Sequence, residues 1–217
     1  METIVVFLAI LVLVPFSLQA SPAKVKYESH KNRPSQVSVQ SILQAPPDAI
    51  WKQVVRFNDY NQFMPRVVES FFISEEGVQA LKEATTKNAN KLSSMAKKYK
   101  MAVPRKPGEQ WGGLVFMVLN TPFPVENRWY VLRTNQDETR SAQHSYKRCW
   151  DLVTGNIESA KGCWSFEPYG DGQETFSFYQ DQADPGGKVP EWVTRLGATQ
   201  TLPQMFHRVE SLAKSEE

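Results

Sequence analysis

The sequence predicts an α+β fold in which one curved antiparallel sheet grips a long C-terminal helix. Between residues 114 and 181, successive strand-like runs follow one another with no helical pattern between them, so they should pair antiparallel as a meander. The chain then closes on a long helical pattern with a single apolar stripe, the cover that a sheet with one apolar face requires. Aromatic residues make up 12% of the chain, with six Trp and twelve Phe. Side chains of that size are buried or line something.

Residues 1–20 hold an almost unbroken apolar run from Ile4 to Leu18 and end at Gln19, Ala20, Ser21, Pro22. This is the length of a signal-peptide core and short for a membrane span of about 20 residues. Cleavage after Ala20 or Ala23 would deliver the chain to a periplasmic or extracellular space. An uncleaved N-terminal anchor is the alternative, because the segment before the run carries Glu2 and no base. Residues 21–34 lack periodicity and read as a tether. The domain itself is placed at 35–214, one core's worth of chain.

Within it, Val37, Val39, Ser41 and Leu43 alternate with polar neighbours, the period of a half-buried strand. Pro46 and Pro47 suit a helix's first turn, and Ile50, Trp51, Val54, Val55 and Phe57 follow at helical spacing. A strand is expected over 67–73. Residues 75–109 form a basic helical insertion, with Leu92, Met95, Ala96 and Tyr99 at i, i+3, i+4, i+7 and a break near Asn88 and Asn90. The meander strands fall at 114–119, 129–134, 144–153, 161–167 and 174–181. The final helix carries Trp192, Leu196, Thr199, Leu202, Phe206, Val209 and Ala213, with a kink at Pro203.

Charge and motif content exclude several functions. Residues 1–20 hold one acid and no base, so the remainder has 25 bases and 22 acids, a net charge of +3. That balance fits no nucleic-acid binder. His30, His144 and His207 lie far apart, and neither cysteine has a ligand neighbour at metal spacing. There is no phosphate-cradling glycine loop and no nucleophile elbow. No metal and no cofactor are expected.

Three segments resemble a known superfamily. Ala45-Pro46-Pro47-Asp48-Ala49-Ile50-Trp51 runs on through Phe57-Asn58-Asp59-Tyr60 to Phe63-Met64-Pro65-Arg66; Pro122-Phe123-Pro124-Val125-Glu126-Asn127-Arg128-Trp129 opens a strand; Asp184-Pro185-Gly186-Gly187-Lys188-Val189-Pro190-Glu191-Trp192 leads into the last helix. Their order and spacing resemble the START-like (SRPBCC) helix-grip superfamily, in particular its bacterial polyketide cyclase and coenzyme Q-binding branch. The resemblance spans most of residues 37–213, and the insertion at 75–109 is longer than it leads one to expect. It implies a cavity between sheet and final helix, used in different members for lipids, quinones, sterols or polyketides. Fold by itself does not choose among them.

The candidate lining follows from strand parity and from the resembling segments. Trp164 and Phe166 share one face of their strand, Trp150 shares one with Tyr146 and Arg148, and Phe176 shares one with Phe178. Phe63, Met64, Tyr130, Trp192 and Leu196 join them, and Arg128 would hold a ligand's polar end at the mouth. Gly197, Ala198 and Thr201 are small enough to leave space opposite the aromatics. The expected function is binding, and possible transfer, of a hydrophobic small molecule; a cyclase-type enzyme using the same cavity, or an interaction module with a filled interior, are the alternatives. Tyr179, Tyr130 and His144 could serve as acid or base, but none has a partner at informative spacing.

Cys149 and Cys163 are expected to form a disulfide. A hairpin turning at 154–159 sets them opposite each other on the face marked polar by Lys147, Asp151, Ser165 and Glu167. From Lys82 to Lys106 the insertion holds eight bases against one acid. Lys91, Lys97, Lys98 and Lys100 on it are therefore candidates for docking on an anionic membrane surface.

Overall fold

A computed structural model describes residues 23–29, 34–86, 88–187 and 189–216. The expected signal segment lies outside the described residues. The strands are β1 (Lys24–Glu28), β2 (Ser35–Leu43), β3 (Val67–Ile73), β4 (Lys100–Met101), β5 (Gln110–Leu119), β6 (Arg128–Asp137), β7 (Tyr146–Gly155), β8 (Ser159–Tyr169) and β9 (Glu174–Asp184). They form one antiparallel sheet in the order β1-β2-β9-β8-β7-β6-β5-β3-β4. The meander β5 to β9 is contiguous, and the earlier strands are added to its two sides. On one side β2 pairs with β9, and on the other β3 pairs with β5. The helices are α1 (Pro47–Val54), α2 (Tyr60–Phe63), α3 (Glu75–Glu83), α4 (Ala89–Ala96), α5 (Glu191–Leu196) and α6 (Leu202–Ser215).

The sheet divides two apolar cores. Its inner face packs α1 and α6, through Trp51 and Phe206, against Leu43, Trp164 and Phe166. Its outer face, toward the β3 edge, packs α3 and α4 through Val78, Leu81, Leu92 and Ala96 onto Phe71, Leu114 and Phe116. The insertion's apolar stripe is thus consumed by the fold. Asn88 caps α4 by accepting from the Lys91 amide at 3.1 Å, at the break the sequence marks. Gly77 lets α3 approach the turn that follows α4, where an added Cβ would lie 2.5 Å from that of Tyr99.

Three readings of the sequence are corrected here. The tether at 21–34 contains β1, whose residues pair with Gln36 to Gln40. Val25 and Tyr27 alternate with Lys24, Lys26 and Glu28, a period too short to stand out until the free edge of β2 supplies its partner. The insertion's helical pattern stops at Ala96, and 97–99 tighten into a 3₁₀ turn before β4. In the final helix, a π-helical turn at Gly197–Thr201 separates α5 from α6. Pro203 cannot donate to residue 199 and its ring crowds that carbonyl, and a wider turn relieves both. The turn also shifts the buried stripe. Phe206 is followed back by Ala198 and then, five residues earlier, by Val193, so Trp192 is 51% exposed and Thr199 faces solvent.

Candidate functional site

Between the open end of the sheet and the α5–α6 helix lies a cavity of about 350 Å³. Its size is at the low end of small-molecule pockets. The floor comes from alternate residues of the meander, which face inward by pleat: Met117 and Leu119 of β5, Tyr130 and Leu132 of β6, Trp150 of β7, Trp164 of β8, Tyr179 of β9. The roof is Val193, Leu196, Gly197, Ala198, Leu202 and Met205. Gly197 has nothing within 4 Å of where a Cβ would stand, so the small residues of the roof leave real space.

Trp164 marks the boundary between solid core and cavity. On one side its ring meets Phe166 at 4.9 Å and Phe206 at 4.9 Å, and Phe166 in turn meets Trp51 at 5.9 Å. Its Nε1 donates to Ser177 Oγ at 2.6 Å, which fixes the indole. On the other side it faces the open space with Tyr179, 5.8 Å away and edge-on.

One wall of this apolar space is polar. Arg148 of β7 is only 8% exposed, with its guanidinium 4.9 Å from the Phe57 ring centroid and 5.2 Å from that of Trp150. Such stacking desolvates a cation at low cost. Its Nη1 donates to the Tyr60 hydroxyl, which donates to the Val54 carbonyl. Across from it Asp181 of β9 accepts from Trp150 Nε1 at 3.0 Å. Burial pushes the Asp181 carboxyl up to about 7, against the Trp150 hydrogen bond and the pull of Arg148. Burial also drives the Tyr130 and Tyr179 phenols above their ordinary range, assisted by the charge of Asp181, so both stay protonated and can donate.

At the mouth, Arg128 Nη2 donates to the Gly186 carbonyl at 3.2 Å, tying β6 to the loop before α5. Arg66, at φ +62°, donates from Nε to Thr201 Oγ1 at 3.3 Å and bridges the turn after α2 to the roof. Phe123, on the β5–β6 loop whose neighbours Pro122 and Val125 line the mouth, is 93% exposed.

Of the residues named from sequence, Met64, Arg128, Tyr130, Trp150, Trp164 and Leu196 line the cavity. Phe166 is fully buried in the solid core instead. Phe63 packs beside the Tyr60 ring at 5.6 Å under the Arg56 guanidinium, outside the cavity. Phe176 and Phe178 point to the sheet's outer face: register sets them opposite Glu167 and Ser165, while Thr175, Ser177, Tyr179 and Asp181 of the same strand face inward. Trp192 is carried outward by the π-helical turn. Sequence reasoning passed over Arg148 and Asp181 as site residues. For Arg148 a signal was present, a charge on the apolar parity of its strand; Asp181 shares its parity with Thr175, Ser177 and Tyr179, and carried none. His144 finds its partner at long range, with Nδ1 2.8 Å from Asp48 Oδ2, and Tyr146 donates to the same carboxylate at 2.5 Å, a tie between β7 and α1.

The Cys149–Cys163 disulfide is formed, on strands whose register sets the two residues opposite each other. Lys91, Lys97, Lys98 and Lys100 are exposed, Lys97 pairing with Glu69 and Lys100 reaching over the Phe71 ring. Among the described residues no cluster of His, Cys, Asp or Glu could hold a metal ion, and no helix is long and apolar enough to cross a membrane.

No curated protein matches the sequence. Solved structures of similar fold include a STAR-related lipid transfer protein of Xanthomonas axonopodis, residues 25–204 (19% identity, TM-score 0.60, 90% of this chain and 96% of that one). Human StAR-related lipid transfer protein 5 is also similar (9% identity, TM-score 0.57, 91% and 86%). So is a START superfamily protein of Mycobacterium smegmatis (12% identity, TM-score 0.53, 84% and 99%). At these identities the likeness is one of fold. The family described as polyketide cyclase / dehydrase and lipid transport matches residues 43–210, from the end of β2 to α6, and the chain belongs to that family, within the START-like superfamily.

Proposed function

We propose that this chain is an exported binding protein that holds a hydrophobic small molecule, of the lipid, quinone or sterol kind, between its sheet and its C-terminal helix, and that it can pass such a ligand on. The observation that carries this is the roof of the cavity: helix positions that would close a solid core hold Gly197 and Ala198, over a floor of aromatic and aliphatic side chains. An empty apolar space of about 350 Å³ is costly, on the order of 24 cal/mol per Å³. A ligand burying roughly 300 Å² of apolar surface gains about 7 kcal/mol at 25 cal/mol per Å², before association entropy is subtracted. The apolar run at residues 4–18 and a disulfide on the solvent face of the sheet support export. Anionic membrane docking through Lys91, Lys98 and Lys100 remains an electrostatic proposal, since Leu92 and Ala96 are already committed to the outer core.

Native mass spectrometry of the purified chain tests the reading. A co-purifying hydrophobe in wild type that is lost in Gly197→Leu, with the fold retained, supports it; identical, ligand-free spectra from both refute it. The cyclase alternative is favoured by one observation, a part-buried carboxyl near neutral pKa beside two phenols, a set that can move protons. Turnover of a polyketide chain that vanishes in Asp181→Asn would select it.

A further inference from the structure

The polar wall of the cavity is built around a cation that Asp181, across the same cavity, does not reach as an ion pair. Among the described residues no carboxylate lies within ion-pair distance of Arg148, its Nε is buried with no hydrogen-bond partner, and its only side-chain hydrogen bond goes to the neutral Tyr60 hydroxyl. The Tyr130 and Tyr179 hydroxyls and Asp181 Oδ2 make no hydrogen bond to any described residue, and all three side chains line the same cavity. A buried guanidinium with free donors beside two free phenol donors is a seat for an anionic oxygen group. Resting on the cavity reading above, we propose that the ligand carries a carboxylate end seated on the Arg148 guanidinium, and that Asp181 holds a proton in that complex.

The proton follows from charge balance. With Asp181 ionised the wall is neutral as a pair; a second carboxylate would leave a net negative charge in a low-dielectric interior. Protonating Asp181 restores the balance and turns its carboxyl into a donor. The titratable and charged groups that share the cavity with Asp181 are Arg148 on β7, Tyr130 and Arg128 on β6, Tyr179 and Asp184 on its own strand, Tyr27 on β1, in register with it through Val37, and Arg66 at the mouth, with Tyr60 behind Arg148. The residues that the roof helix turns to the cavity are all non-titratable, so it neither supplies nor competes for the proton. With its carboxyl already near 7, Asp181 accepts that proton at neutral pH without a large penalty.

The test is calorimetric titration of the full chain with laurate and with dodecanol, between pH 6.5 and 8.5, in two buffers of different ionisation enthalpy. The expected result is laurate binding with proton uptake rising toward one at the upper pH and an affinity that falls about tenfold per pH unit there. Dodecanol should bind more weakly and without proton uptake. Asp181→Asn should hold laurate with no pH dependence, and Arg148→Met should remove the preference for laurate. Because Arg148→Met can disturb folding, a Tyr130→Phe, Tyr179→Phe double variant, which keeps the volume, should also weaken laurate several-fold and leave dodecanol unchanged. Equal binding of the two ligands overturns the anion seat while leaving the cavity reading intact, and laurate binding without proton uptake overturns the role of Asp181. If neither ligand binds, the cavity reading falls with it.

Discussion

Asp181→Asn isolates the thermodynamic cost of one part-buried carboxyl in the cavity wall. The amide oxygen can still accept from Trp150 Nε1, so the change removes a titration while keeping the hydrogen bond. In the folded chain the Asp181 carboxyl lies at about 7, against an ordinary value of 3.8. The folded state therefore binds the proton more tightly than the unfolded state, and its stability is greatest below the unfolded value and falls as pH rises through 7. Each tenfold in proton affinity is worth about 1.4 kcal/mol, so the wild type loses at most about 4 kcal/mol across that window relative to the variant. Water admitted to the cavity would reduce this figure. Urea unfolding of both chains from pH 4.5 to 8 measures it, since every other titration cancels in the difference. Wild type should already trail the variant by about 1 kcal/mol near pH 4.5, and the variant should be more stable by up to about 4 kcal/mol at pH 8, a change of about 3 kcal/mol between the two. A difference that stays flat with pH would refute the placement of a desolvated acid in the cavity wall.

Cys149→Ser with Cys163→Ser should cost about 3 kcal/mol by the chain-entropy estimate for the loop of 14 that the bond closes. Alkylation without reduction should label no thiol in the wild type, and intact mass reads this directly. Phe206→Ala empties the contact with Trp164 and should cost 3 to 5 kcal/mol in denaturant midpoints, roughly the range for a buried phenylalanine. Gly197→Leu, by contrast, should fold at least as stably as wild type, because its side chain enters open space and a helical glycine is removed, while ligand stabilisation in thermal scans disappears. Replacing Lys91, Lys98 and Lys100 by Glu should abolish flotation on anionic vesicles, each base being worth about 1 kcal/mol near such a surface; binding that survives, or that neutral vesicles match, sets the electrostatic proposal aside.

Period and punctuation alone determined most of the architecture. The meander strands were legible because alternation holds through 110–184 with turn residues between the runs, and pairing 149 with 163 follows from the register a short hairpin imposes. The helical insertion and its break at Asn88 were legible for the same kind of reason, a local one. Strand parity likewise placed Trp150 and Trp164 on the inner face. What it could not place were features whose cause lies elsewhere in the chain. Lys24 to Glu28 form a strand only because the edge of β2 is free to pair. The outward turn of Phe176 and Phe178 was decided by β9 lying between β2 and β8, which assigns its inner face to Thr175, Ser177, Tyr179 and Asp181. The step of five from Val193 to Ala198, set by a π-helical turn, put Trp192 in solvent and left Gly197 over empty space. Arg148 and Asp181 read as ordinary strand charges until β7 and β9 curve around one cavity. A charge on a strand's apolar face acquires its meaning from what the opposite wall brings, and that is a property of packing, which has no period in the sequence.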